Sequence, residues 1–408
     1  MRVALSASFI AIASALCPAR ISQLIAASGN SNYLGTKTRV FKHHATAART
    51  ASVAAKAMMS ATDGGGEENG GPFTRKALLE GTTKAAGVLG AGTFVQKGFF
   101  AGVPYNGKPD LTGKTAVITG GNTGLGKETA VRLAQLGADV TIACRNPDKA
   151  FAALEDIKVQ APGAKVVAMP LDLASLDSVG SFAKGYASSA ERLDILVNNA
   201  GVMAIPERET TKDGFEMQFG TNHLGHFRLT SLLMPSLLKS PDARVVSVSS
   251  SAHLFASTVD WDDLNAAAPG AYAPWKAYGL SKLSNIFFVK GLQKRVDRKG
   301  GSVTCTALHP GACRTELGRY LFDPSKPANP LVYPLLAAAT LVTRSPKEGA
   351  QTQIACAADP SLVKSLGAGG LYFVGPKISE LPSGLARDSD AAERMWTASE
   401  RLVGSFSF

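Results

Sequence analysis

The chain has 408 residues, 45% hydrophobic and 18% charged, enough for one large α/β domain with extensions or two modest domains. Its formal net charge of +11 is not a nucleic-acid signal, because residues 1–62 hold seven Lys or Arg and no acid, and setting those seven aside leaves +4. The five cysteines show no C-x-x-C spacing and no nearby His cluster, which points to reduced thiols with neither a disulfide framework nor a metal site.

Residues 1–62 are rich in Ala, Ser and Thr, basic and acid-free, the composition of an organellar presequence. Val3 to Leu16 is apolar behind Arg2 and contains Ala13-Ser14-Ala15, like a signal-peptide core and cleavage site ahead of a transit peptide. Such a two-part leader is similar to those of algae whose plastids lie inside extra membranes, although those carry Phe after the Ala-Ser-Ala, where Leu16 stands here. The expected location is a plastid, with a mitochondrion as the alternative. Residues 63–110 read as a linker and a short apolar helix. Asp63 to Pro72 is Gly-rich and flexible by composition. Ala85 to Val95 is too short to span a bilayer, and reads as a second sorting signal, a membrane-surface helix or a helix packed on the domain. Gly87, Gly90 and Gly92 imitate a nucleotide loop, but no strand precedes them.

From Leu111 the texture changes, and residues 111–408 read as one domain. Thr115–Thr119 is a β-branched apolar run suited to a buried parallel strand. It enters Gly120-Gly121-Asn122-Thr123-Gly124-Leu125-Gly126, then a helical pattern from Lys127 to Leu136. Strand, glycine loop and helix in this order are what a dinucleotide fingerprint requires. Gly120 and Gly124 permit a tight turn and close approach to a pyrophosphate, and Gly126 permits close helix–strand packing. The free N–H groups of the helix start would face the anion.

The next strand, Asp139–Cys144, ends in Arg145 where an acidic residue would favour NAD. A guanidinium can fork onto a 2′-phosphate, so the expected cofactor is NADP(H). Strand-like runs follow at Lys165–Met169, Leu193–Val197, Arg244–Ser250 and Val303–Ala307, separated by helical segments near Leu176–Ala190, Phe215–Leu238 and Tyr278–Arg295. Alternating β and α elements predict a doubly wound parallel sheet of Rossmann type, with its ligand crevice beyond the strands' carboxyl ends. Tyr278 and Lys282 share one helix face at i, i+4, which sets a cation beside a phenol. A fixed positive charge there lowers the tyrosine's pKa and suits it to proton transfer.

The glycine loop, Asn198-Asn199-Ala200-Gly201, Ser250, Tyr278-x-x-x-Lys282 and His309-Pro310-Gly311 together resemble the short-chain dehydrogenase/reductase family, over about residues 111–404. Ala143-Cys-Arg145, Gly220 to Phe227, Lys347 to Ala350 and Ala392 to Trp396 are most similar to its retinol dehydrogenase branch and plastid relatives. The resemblance implies a catalytic set of Ser250, Tyr278, Lys282 and Asn222. Ser250 would bind the substrate oxygen, Tyr278 would pass the proton, and Lys282 would serve tyrosine and ribose. Asn222 would hold a water that links Lys282 to solvent. For the cofactor it implies the glycine-loop residues Gly120 and Asn122 to Gly126, Arg145, Asp172 with Leu173 at the adenine, and Asn199 with Ala200 and Gly201 at the adenosine-side ribose. Pro310, Gly311 and Thr315 would pack on the nicotinamide.

The region after Thr315 (Leu317, Tyr320 to Phe322, Leu331 to Leu336) is apolar and interrupted by prolines, as a substrate flap would be. A small lipophilic carbonyl or alcohol, such as a retinoid or carotenoid-derived compound, is the expected substrate, with a homo-oligomer and peripheral membrane association left open. Two alternatives remain. One is a protochlorophyllide reductase-like enzyme, which this chain matches near Leu171 to Val179 but not at Asn198, where that family carries cysteine. The other is an NADP(H)-sensing subunit of a plastid membrane complex.

Overall fold

The structure is a computed structural model that describes residues 104–314, 317, 343–362, 369–375 and 384–408. The leader, the linker, the apolar run Ala85 to Val95, Thr315 and the expected flap from Tyr320 to Leu336 lie outside the described residues.

Among the described residues, seven parallel strands form one sheet: β1 (Thr115–Thr119), β2 (Asp139–Cys144), β3 (Val166–Pro170), β4 (Ile195–Asn198), β5 (Ala243–Val248), β6 (Val303–His309) and β7 (Leu371–Val374). Their spatial order is β3-β2-β1-β4-β5-β6-β7. The direction of winding therefore reverses between β1 and β4, and a crevice opens at their carboxyl ends.

The strands read as continuous apolar runs because both faces are covered. Val117, Leu196 and Val245 point into one core with α3 (Leu176–Ser189), α4 (Gly225–Leu237), α5 (Pro274–Arg298) and α7 (Ser389–Val403). Their neighbours Ile118, Val197 and Val246 point into the other, with α1 (Gly124–Gln135), α2 (Pro147–Gln160) and α6 (Pro346–Ala358). The C-terminal stretch is packed tightly. Trp396 stacks on Phe288 at 6.0 Å, meets the Phe227 edge at 4.9 Å and takes the Arg295 guanidinium over its ring at 4.0 Å.

The structure adds elements that the pattern of the sequence does not mark. β7 is four residues long and follows Gly369-Gly370. The helical stretch expected from Phe215 is composite: an α-turn at Met217–Phe219 runs through a π-helical turn at Gly220–Leu224 into α4. Such π-turns recur at functional sites because the extra residue re-aims a side chain. Here the widened turn carries Asn222. Among the described residues, no helix is long and apolar enough to cross a membrane.

Candidate active site

The glycine loop leaves β1 at the reversal point. Gly120 (φ +65°) and Gly124 (φ +55°) occupy the left-handed region that glycine alone adopts without strain. A Cβ on Gly126 would lie 2.4 Å from the Gly120 carbonyl oxygen and 2.5 Å from Asn199 Nδ2, so helix, loop and the β4 end are in direct contact. Thr123 precedes α1 with extended backbone and makes no side-chain cap, which leaves the first amides of the helix open to an anion. Asn122 and Leu125 belong to the same turn. The loop thus offers a cradle of backbone donors that fits a dinucleotide pyrophosphate.

Arg145 is exposed at the β2 end, beside Asn146, which caps α2 by accepting from the Lys149 amide at 2.8 Å. Asp172 sits at the β3 end, where its Oδ1 accepts from the Ala174 amide at 3.1 Å and shapes the turn. Leu173 is buried against the start of α4, where a Cβ on Gly225 would come within 2.5 Å of its carbonyl oxygen.

The Asn199 side chain is turned inward: Nδ2 donates to the Thr119 carbonyl at 2.8 Å. Gln353 of α6 donates to Asn199 Oδ1 at 3.4 Å and to the Leu125 carbonyl at 3.1 Å, clamping the loop from above. The Asn199 and Ala200 amides donate to Thr119 Oγ1 at 2.9 and 3.0 Å. Thr119 Oγ1 also lies 2.8 Å from His226 Nε2, and His226 Nδ1 lies 2.9 Å from the Asn222 carbonyl oxygen. A carbonyl only accepts, so Nδ1 carries the proton and Nε2 accepts from Thr119. Burial, with the charge of Lys282 a lesser cause, lowers His226 to about 4 and keeps it neutral.

On the other side of the crevice, α5 carries Tyr278 and Lys282, both buried. Lys282 Nζ donates to the carbonyl of Val248, the last residue of β5, at 3.1 Å and lies 5.6 Å from the Tyr278 ring centre. Burial lowers this ammonium to about 8. Burial also raises the Tyr278 phenol above its ordinary value, while a hydrogen bond with Ser250 pulls the other way. This corrects the expectation of a lowered tyrosine: here desolvation by burial outweighs the Ser250 hydrogen bond that opposes it.

The three serines at 249–251 separate cleanly. Ser249 Oγ donates to the Lys282 carbonyl at 2.6 Å and is buried, whereas Ser250 Oγ faces Tyr278 and accepts from the Ala252 amide at 3.1 Å. The Asn222 amide is committed within the protein. Oδ1 accepts from Val202 N at 2.8 Å, and Nδ2 donates to the Val202 carbonyl and to Ser281 Oγ, each at 2.9 Å. A Cβ on Gly201 would lie 3.6 Å from Lys282 Nζ, which puts the Asn198–Gly201 turn against the lysine.

The loop after β6 closes the crevice floor. Gly311 has φ +90°, and a Cβ there would press 2.9 Å from the Arg344 guanidinium, whose Nη1 donates to the Pro310 carbonyl at 3.0 Å. Thr315, expected to follow this turn at the nicotinamide, is outside the described residues.

Residues 114–260 match the family model described as short chain dehydrogenase. Retinol dehydrogenase 13 of Homo sapiens is 41% identical over 321 residues, spanning 78% of this chain and 93% of that protein. The chain belongs to the short-chain dehydrogenase/reductase family, in its retinol dehydrogenase-like branch. Retinol dehydrogenase 12 of Homo sapiens is likewise 41% identical over 306 residues, covering 75% of this chain and 91% of that protein. A crystal structure of an uncharacterized protein from Mycobacterium Paratuberculosis aligns at TM-score 0.59 and 35% identity, over 75% of this chain and all of that one. As a member of this family, the protein is an NAD(P)-dependent oxidoreductase acting on CH–OH and C=O groups. His226, Thr119 and Gln353 were not legible as site residues, because single polar residues in an apolar helix or strand carry no spacing signal.

Proposed function

We propose that this short-chain dehydrogenase/reductase interconverts a carbonyl and an alcohol on a small lipophilic substrate, with NADP(H) as cofactor and Tyr278 as proton donor. The observation that carries this reading is the trio at the β5 end: a buried Tyr278 phenol, hydrogen-bonded to the half-buried Ser250, with the buried Lys282 Nζ 5.6 Å from its ring. The glycine loop and Arg145 would hold NADPH, whose chemistry would be the supply of hydride to the carbonyl carbon. Ser250 holds the substrate oxygen by a hydrogen bond, and Tyr278 gives that oxygen its proton as negative charge develops. Lys282, anchored on the Val248 carbonyl, faces the phenolate that this leaves and favours it electrostatically. The resulting pre-positioning of donor and acceptor contributes several kcal/mol of barrier reduction by order of magnitude.

Arg145 at the β2 end supports NADP(H) over NAD(H), since a guanidinium pairs with a 2′-phosphate. An apolar substrate is supported by the aromatic surface beside Tyr278. Trp275 lies edge-on to Tyr278 at 6.2 Å and to Phe255 at 5.7 Å, and Leu254 and Phe255 are exposed. The retinol dehydrogenases to which the chain is similar support a retinoid-like compound. The basic, acid-free leader supports a plastid as the place of this activity.

The test follows NADPH absorbance with the full chain and all-trans-retinal, other apolar aldehydes, or protochlorophyllide, in light and in darkness. Turnover of an aldehyde in the dark is the expected result. Turnover of protochlorophyllide only in light would replace this reading with the reductase alternative, and NADPH binding with no turnover would replace it with a sensing role.

A further inference from the structure

Gln218 lies one helical turn before Asn222, fully buried, and both side chains grip the loop that leaves β4. Asn222 holds Val202 by its amide and its carbonyl. Gln218 Oε1 accepts from the Ala204 amide at 2.7 Å, two residues further on. Ala204 has φ +52°, in the left-handed region that a residue with a Cβ adopts only under strain. The other end of the same amide reaches across the site. Gln218 Nε2 donates to Tyr272 Oη at 3.1 Å and to the Pro274 carbonyl at 3.0 Å, and Pro274 opens α5 one turn before Tyr278. Tyr272 Oη then donates to the Ile205 carbonyl at 2.7 Å, closing a ring of hydrogen bonds.

From these contacts we infer that Gln218 is a positioning residue that fixes the substrate-side wall Val202–Ile205 relative to the Tyr278 helix. The loop starts at Gly201, against Lys282 Nζ, so a shift at Ala204 moves the wall beside the reacting groups and leaves the glycine loop in place. Both amide N–H groups and the carbonyl of Gln218 are used, and a neutral amide alone supplies an acceptor to Ala204 and two donors to Tyr272 and Pro274. The strained Ala204 conformation persists because surrounding bonds over-determine it. Gln218 thereby sets where this loop stands relative to Tyr278.

The test compares the full-length wild type with Gln218→Met, which keeps the side chain's length and removes its hydrogen bonds, and with the double variant Ala204→Gly/Gln218→Met. Decanal and all-trans-retinal serve as probes with NADPH. Gln218→Met is expected to raise the aldehyde KM about five- to tenfold, the equivalent of one lost buried hydrogen bond, while kcat moves less and NADPH affinity holds. Glycine at 204 takes the left-handed conformation unaided, so the double variant is expected to recover most of the KM. An unchanged KM, a parallel loss of NADPH affinity, or a double variant no better than Gln218→Met would each overturn the inference. It rests on the carbonyl reading given under Proposed function. A wild type that turns over neither aldehyde would sink that reading, and backbone amide exchange then decides this one. Faster exchange at 202–205 in Gln218→Met, reset in the double variant, supports it, and unchanged exchange overturns it.

Discussion

On the β1 side of the crevice the chain removes side chains, whereas on the β5 side it buries them. Around Gly120 and Gly126 the backbone itself makes the surface, and the nearest obstacle to a Cβ is another backbone carbonyl at 2.4 Å. Around Tyr278 and Lys282 the surface is made by polar side chains taken out of water, whose pKa values burial has moved in opposite directions. The first side is governed mainly by volume at its glycines. The second is governed mainly by charge at Tyr278 and Lys282. This contrast tells which substitution informs about which function.

The largest effect is expected from Lys282→Met, nearly the same in volume but without charge. It should lower kcat by about two to four orders of magnitude, in the range of lost acid–base assistance, with the fold retained. Turnover in NADPH absorbance is the readout, and a Lys282→Met rate near wild type would erase the contrast. Gly126→Ala should act through volume. Its Cβ overlaps the Gly120 carbonyl, so NADPH affinity is expected to fall at least tenfold and stability by about 1–3 kcal/mol. Fluorescence titration and thermal unfolding measure the two parts. Arg145→Ala tests charge on the otherwise steric side. A lost charge-assisted contact predicts about a tenfold rise in the NADPH KM with the NADH KM unchanged.

The last effect concerns two buried histidines, His226 between Thr119 and the Asn222 carbonyl and His223 beside Ser399. His226 and His223, pushed by burial to about 4 and about 3, stay neutral in the fold. The unfolded chain takes up protons below the ordinary value near 6.5 that the folded chain refuses. Their contribution to stability is therefore complete above pH 6.5 and declines as pH falls toward 4. Denaturation midpoints from pH 7 to 5 should drop, and His226→Gln should flatten the slope.

The doubly wound parallel sheet, the glycine loop and the Tyr278–Lys282 pair were legible because each follows from a period or a fixed spacing. β1 through β6 were visible as apolar runs at α/β intervals. β7 was not, because four residues after Gly369-Gly370 carry too little pattern to distinguish a strand from a turn. The helix around Asn222 was legible as a helix and illegible as a π-turn, since the extra residue depends on what α4 packs against. Ser250 was separable from Ser249 and Ser251 only by family register, and the structure supplies the physical distinction: Ser249 is spent on the Lys282 carbonyl. The direction of the Tyr278 shift was misread because adjacency of a charge is visible in a sequence and depth of burial is not. The inward turn of Asn199 and the grip of Gln218 on Ala204 are tertiary contacts with no local signature.

The role proposed for Tyr278 is delivery of the proton that accompanies hydride transfer. The most direct measurement is a single turnover of Tyr278→Phe, preloaded with NADPH and mixed with all-trans-retinal, against the wild type under the same conditions. NADPH is expected to bind to both with similar affinity, and its oxidation in the variant to be slower by about two to four orders of magnitude. Oxidation of NADPH by Tyr278→Phe at a rate close to that of the wild type would contradict that role.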